Sequence, residues 1–281
     1  MRGCGALPPL PRAIDVLIRR AFADLSVGQV HFAECGDADA PAVLLLHQSP
    51  RSWAEYREVL PLLGRRFRAI AMDTVGFGDS PPPPWTPSIE RWAGVAAELL
   101  DALAIERAHV VGHHTGGVIA VELAANFSRR VGAVVLSSTP YTNEAFRIAR
   151  ASRPPIDAVE QRADGAHLMQ MWRNRQAFYP EGRPELLQSF VMDGLKVSGD
   201  IEGGHRAVAG YHMEDSIGRV TQPVLLIRAL QDPFSSPHAA ELAGQLRDVR
   251  IVDVEGGMVP LPDQLPQAFA RVVTDFLEKQ G

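Results

Sequence analysis

The stretch with the most chemical potential is Gly112-His113-His114-Thr115-Gly116-Gly117, which follows the apolar run His109–Val111 and precedes the helix-forming Val118-Ile119-Ala120. A strand that becomes a helix within so few residues needs glycine where a side chain would strike its neighbours. Such a turn throws its central residue, here His114, out at the strand's end. The positive end of the following helix and an apolar crevice both push an imidazole there toward its uncharged form. In that form it suits proton abstraction near pH 7 and makes a poor lasting nucleophile, because acyl-imidazoles hydrolyse readily. The other reading of His114 is an inert replacement in a dead pocket.

Elements of the expected kinds surround this turn. Short apolar runs alternate with amphipathic segments, the pattern of a mostly parallel sheet wrapped by helices. Val27–Cys35 alternates like a half-buried antiparallel edge strand, and Val43–His47 and Arg68–Met72 read as buried strands around a helix-like stretch from Ser52 to Leu63. Ser88 caps a helix reaching Leu103 with Trp92, Val95, Ala96 and Leu99 on one face. Gly132–Leu136, Val224–Ile227 and Arg250–Val254 are further strands, and Gln264–Leu277 is an amphipathic closing helix. From Tyr141 to Val220 the alternation breaks into helical segments rich in Arg, Met and aromatics. The expected division is a core of 1–140 and 221–281 with a helical lid over 141–220.

Composition narrows the function. With 281 residues, 28 basic and 33 acidic side chains and a net charge of −5, the chain fits one large α/β domain. Mild acidity and the lack of any reading motif argue against nucleic acid, and no apolar run approaches the ~20 residues of a membrane span. Two cysteines, Cys4 and Cys35, form no disulfide framework, so a reducing cytoplasm is expected. The glycine spacing after His109–Val111 is not that of a dinucleotide fold and no phosphate-binding loop occurs, so no cofactor is expected.

Four motifs carry a family resemblance. Beside the 112–117 turn stand His47-Gln48-Ser49-Pro50, Asp73-Thr74-Val75-Gly76-Phe77-Gly78-Asp79-Ser80, and Gly256-Gly257-Met258-Val259-Pro260; Asp232 comes shortly after Val224–Ile227. In this order, each at a strand end, they resemble the α/β-hydrolase superfamily over nearly the whole chain. The resemblance implies an eight-stranded, mostly parallel sheet with a lid, His114 at the nucleophile elbow, Asp232 as the triad acid, and Met258 where the family keeps its catalytic His. Met258 cannot exchange a proton, so ordinary serine-hydrolase chemistry is absent. An oxyanion hole from the backbone N–H of Thr115 plus that of Gln48 or Ser49 would survive, because it needs no side chain.

A base beside an anion-stabilising pocket favours proton abstraction. The superfamily is known to include cofactor-independent oxygenases, whose His–Asp dyad takes its His from the loop that here holds Met258, and members with altered triads in natural-product pathways. The expected activity is therefore cofactor-free and centred on His114, with oxygenation placed ahead of lyase or cyclase outcomes. Alternatives are a hydrolase of ester or C–C bonds with a non-standard triad, and a non-catalytic binding protein. The expected partner is an apolar, aromatic or polyketide-like molecule, with dioxygen if oxygenation holds, and the chain is monomer or homodimer.

Asp232 is either the group that holds a His or an Asx-turn acceptor before Pro233. His47 is expected to brace the oxyanion loop, and His113 to pack beside the turn. Trp53, His113, Trp172, Phe178, Tyr211 and Met258 are expected to line the pocket, although the lid aromatics also read as the core of a helical insertion. The arginines around Arg162, Arg173 and Arg175 read as a solvated face first and an anion clamp second. His205 and His212 show no third ligand at metal spacing.

Overall fold

The computed structural model describes residues 17–280. Cys4 and the first sixteen residues lie outside that range. Eight strands form one sheet: β1 (Arg19–Leu25), β2 (Gly28–Cys35), β3 (Ala42–Leu46), β4 (Arg68–Met72), β5 (Ala108–His113), β6 (Val131–Ser137), β7 (Val224–Ala229) and β8 (Val249–Val254). Their order is β1-β2-β4-β3-β5-β6-β7-β8. β2 runs antiparallel to both β1 and β4, and the other pairs are parallel.

The helices are α1 (Leu60–Leu63), α2 (Ile89–Ala102), α3 (Thr115–Asn126), α4 (Glu144–Ala151), α5 (Ala166–Gln176), α6 (Pro184–Leu195), α7 (Gly203–Gly210), α8 (Ala239–Gly244), α9 (Leu261–Gln264) and α10 (Pro266–Leu277). α4 to α7 all fall between β6 and β7. Among the described residues no helix is long and apolar enough to cross a membrane.

The central strands read as unbroken apolar runs because both faces are covered. Every residue of β3, β5 and β6 is buried. α2 and α3 press one face around Leu44, Val110 and Leu136. Leu45, Val111 and Val135 point to the other face, toward Leu63 and the α10 residues Phe269 and Val273.

Two expectations need correction. β2 is not an edge strand, because β1 pairs outside it from Gly28 to Glu34. β1 escapes a sequence reading because Arg19-Arg20-Ala21-Phe22-Ala23-Asp24-Leu25 buries only Ala23, as suits a charged edge. The helix-like 52–63 stretch is instead a 3-10 turn at Trp53–Tyr56 and the single turn α1, separated by Arg57-Glu58-Val59.

The strand order places the site. β3 is followed in sequence by β4 on one side, and the chain then crosses to β5 on the other. The loops leaving β3 and β5 therefore diverge at the topological switch point, where open α/β sheets form a crevice.

Candidate active site

His114 sits on the loop leaving β5, at φ 46° and ψ −110°, a left-handed backbone that few residues other than glycine adopt. The surroundings hold it there. Its N–H donates to Ser137 O on β6, and its own carbonyl accepts the Gly117 and Val118 N–H groups that open α3. A Cβ on Gly112 would strike the Gly116 backbone, and one on Gly116 would strike the Leu46 carbonyl of β3. The turn can close on the sheet only with glycine at both places, and the side chain between them then projects away from the sheet.

The question of whether Asp232 reaches His114 is answered by distance. Asp232 Oδ2 lies 2.8 Å from His114 Nε2, with the carboxylate sealed from solvent and the imidazole 14% exposed. The contact is a close approach that falls outside the geometry of a linear hydrogen bond. Asp232 also accepts from Phe234 N–H at 2.9 Å and from Ser235 Oγ at 2.6 Å. Asp232 thus makes the Asx-turn contacts and also approaches His114. Burial opposes its charge, but His114, Ser235 and the Phe234 N–H outweigh burial and hold the carboxyl well below the usual carboxylate range. Among the described residues His114 Nδ1 has no hydrogen-bond partner.

The oxyanion loop differs from expectation. The Gln48 N–H is engaged by Glu55 Oε2 at 3.0 Å, and the Ser49 N–H reaches Thr115 Oγ1 at 3.3 Å. Neither is free to meet a substrate oxygen as the loop stands. The Thr115 N–H, in the first turn of α3, has no acceptor within the helix. His47 braces the loop as expected: Nδ1–H donates to Gln48 O at 2.8 Å and Nε2 accepts the Thr74 N–H at 3.0 Å. Burial lowers its pKa, consistent with a neutral ring that both donates and accepts.

Above the turn opens a cavity of about 650 Å³, walled by Gln48, Ser49, His114 and Thr115 below and by Phe146, Ile156, Phe178 and Phe234 around the side. Of the six side chains expected to line it, only Phe178 does. His113 is fully buried, with Nε2 donating to Val259 O at 2.8 Å and Nδ1 accepting from Ser137 Oγ at 3.0 Å. Burial, with the neighbouring His114 next, lowers its pKa to about 3, so it is a neutral strut between β6 and the last loop.

Trp53 is buried, with the Arg20 and Arg57 guanidinium groups each 5.3 Å from its ring. Trp172 packs with Tyr179, Leu186, Leu187 and Phe190 in a small core internal to the lid. Tyr211 is buried and donates to Glu122 Oε2 at 2.6 Å, pinning the lid's exit to α3. Met258 turns aside, its N–H on Gln264 Oε1 at 2.7 Å, and the neighbouring Val259 lines the cavity instead.

Sheet order, elbow and lid placement converge on one family, and residues 41–257 match the model of the alpha/beta hydrolase fold. The chain belongs to that family. A RutD protein of Pseudomonas savastanoi pv. phaseolicola, named for carbamate hydrolysis, is 30% identical over 275 residues, covering 88% of this chain and 97% of that one. Bifunctional epoxide hydrolase 2 of Sus scrofa is 35% identical over 145 residues, but the match spans 48% of this chain and only 25% of that longer protein. The enol-lactonase of Burkholderia xenovorans LB400 superposes with a TM-score of 0.77 at 22% identity, covering 92% of this chain and all of that one, which shows a shared fold.

In this alpha/beta hydrolase the usual partners are rearranged. The acid after β7 meets a histidine at the elbow itself, while the loop after β8 offers only Met258. Sequence reasoning missed Arg51, Glu55, Arg150 and Arg153, and placed Arg175 on a solvated face first and in an anion clamp second. Arg51, fully buried, joins Asp193 of α6 through Nε at 2.8 Å and Asp263 of α9 through Nη2 at 2.6 Å, tying lid to core. Glu55 holds Gln48, and burial pushes its carboxyl up to about 7 despite the nearby Arg51. Arg150, Arg153 and Arg175 all reach the cavity wall, whereas the arginine-rich lid read mainly as a solvated face. Nothing in a linear pattern separates an arginine on a wet helix face from one turned inward.

Two groups of possible metal ligands occur among the described residues, His31-Asp73-Asp79 and Asp157-Glu202-His205. Both are already engaged within the protein. Arg20 and Lys196 bind Asp79, Arg175 binds Asp157, and Glu202 Oε1 accepts the N–H groups of Ile156, Asp157 and Ala158.

Proposed function

We propose that this protein is a hydrolase acting on a carbonyl compound, an ester or an activated C–C bond, with His114 as general base toward water. The observation that carries the reading is the 2.8 Å approach of Asp232 to His114 Nε2 at the floor of the cavity. With the carboxylate on Nε2, the tautomer protonated there is favoured, and Nδ1 presents a lone pair. Nδ1 takes a proton from water as the water oxygen bonds to the substrate carbonyl carbon, and the carbonyl π pair moves onto oxygen. That oxygen meets the Thr115 N–H at the N-terminus of α3. The 3.3 Å bond from Ser49 N–H to Thr115 Oγ1 is the weaker of the two loop contacts, so Ser49 is the second donor that can turn to the oxyanion. Collapse of the intermediate breaks the bond to the leaving group, which receives the proton from Nδ1.

Several observations support hydrolysis over the oxygenation placed first from sequence. The relatives are named as hydrolases of carbamates, epoxides and 2-hydroxy-6-oxo-2,4-heptadienoate. The 650 Å³ cavity accommodates both a substrate and a water. The second reading, abstraction of an acidic C–H or O–H proton followed by reaction with dioxygen, is favoured by one feature: His114 supplies a base where the fold keeps a nucleophile. A panel of aryl and alkyl esters and vinylogous diketones, assayed with and without dioxygen, separates the two. Oxygen-independent release of acid, lost in His114→Ala, supports hydrolysis. Turnover that stops without dioxygen replaces that reading with the second.

A further inference from the structure

The lid wall of the cavity carries three arginines, two of them held in place by carboxylates behind them. Arg175 of α5 is buried; its Nε donates to Asp157 Oδ1 at 2.6 Å, and its Nη2 engages Asp157 Oδ2. His205 Nε2 stands 2.7 Å from the same Oδ2, so Asp157 is saturated. Glu202, buried beneath the loop, lies 3.6 Å from Arg150 Nη2, and Arg150 Nη1 is anchored on the Arg153 and Pro154 carbonyls. Neither Asp157 nor Glu202 faces the cavity, whereas Arg150, Arg153 and Arg175 all do.

Two cationic donors remain available. Arg175 Nη1 is used by none of these contacts. The Arg153 guanidinium has no carboxylate partner among the described residues; it lies near His238, whose pKa is lowered by burial first and by Arg153 among its neighbours. Among the described residues the only carboxylate on the cavity wall is the exposed Glu241, occupied by Asn143 Nδ2 at 2.7 Å. Phe146 and Phe178 supply apolar surface to the same cavity as His114.

We infer that this wall is a subsite for an anionic group of the substrate, so that the hydrolysed molecule is an amphiphile with an apolar or aromatic middle and a carboxylate at the end away from His114. A guanidinium presents paired N–H groups that match a carboxylate, and the half-enclosed position limits screening. A purely apolar substrate would leave the buried Arg175 Nη1 without compensation, while the exposed Arg153 adds charge at the cavity rim. The inference rests on the hydrolase reading only for the identity of the reacting end.

Binding of inert ligands tests it without any chemistry. Titration calorimetry on the full chain compares 3-phenylpropionate with 3-phenylpropanamide, of nearly equal shape. The carboxylate is expected to bind at least about tenfold more tightly, to weaken as salt is raised, and to lose that preference in Arg153→Gln. A second variant, Arg175→Gln, loses it too, with the folded state verified by circular dichroism. Equal affinity for the two ligands, no detectable binding of either at millimolar concentration, or a preference unchanged in Arg153→Gln overturns the subsite. If the carboxylate preference appears but the ester panel gives no acid, the subsite stands and the hydrolase reading fails.

Discussion

His114 Nε2 and Asp232 Oδ2 stand 2.8 Å apart, joining a residue at the end of β5 to one after β7 across the intervening strand β6. A carboxylate held ionised by three contacts sits against Nε2 of the imidazole, and in the proposed mechanism Nδ1 is the nitrogen that meets water. The proposal thereby reverses the usual assignment, in which the carboxylate takes Nδ1 and Nε2 does the chemistry.

Replacement of Asp232 by Asn tests that division of labour. The amide removes the charge and can turn its NH2 toward Nε2, favouring the tautomer with the proton on Nδ1. We expect kcat to fall by about a hundredfold or more, with KM little changed. Equal kcat in the variant would show that the carboxylate serves the Phe234–Ser235 turn alone.

The left-handed backbone at His114 has a cost that glycine would not bear. Strain of this kind is worth about 1–3 kcal/mol. His114→Gly is expected to raise the unfolding midpoint in urea, offset by glycine's greater chain entropy, while activity disappears. A variant both inactive and less stable than His114→Ala would show that the turn is not strained.

Arg51 is a different kind of residue, a buried charge met by Asp193 from the lid and Asp263 from α9. Removing one member leaves uncompensated carboxylates, a cost of about 3–5 kcal/mol. Arg51→Met should lose that much in chemical denaturation and expose the lid to limited proteolysis. A loss under about 1 kcal/mol would mean the carboxylates are neutral in the folded state.

Glu55 makes stability depend on pH in a stated direction. Burial raises its carboxyl from 4.5 to about 7, so between these values the folded state binds a proton that the unfolded state has lost. Stability contributed by this group is therefore full below about 4.5 and declines as pH rises toward 7. Glu55→Gln should flatten the wild-type decline in denaturant midpoint over that window. Parallel profiles for the two proteins would show that Glu55 is ionised throughout.

Much of the site was legible because tight backbone turns demand particular residues. Gly112 and Gly116 announce the elbow, and Asp232 follows a strand at a fixed place in the topology. What the sequence could not show was which way partly apolar side chains face. Tyr211 and Trp172 have the composition of pocket residues, yet one is pinned to Glu122 and the other belongs to a core inside the lid. Arg51, flanked by Ser49, Pro50 and Ser52, gives no sign of burial until α6 and α9 bring their carboxylates to it. β1 stayed hidden because an edge strand with one buried residue has too little alternation to register.

The most direct measurement is a single turnover of a responsive ester in H2 18O, followed by mass spectrometry of product and intact protein. General-base hydrolysis by His114 predicts one 18O in the product acid and an unmodified protein mass at every time point, with no product from His114→Ala. An acyl adduct on the protein during turnover, or undiminished product from the variant, would contradict it.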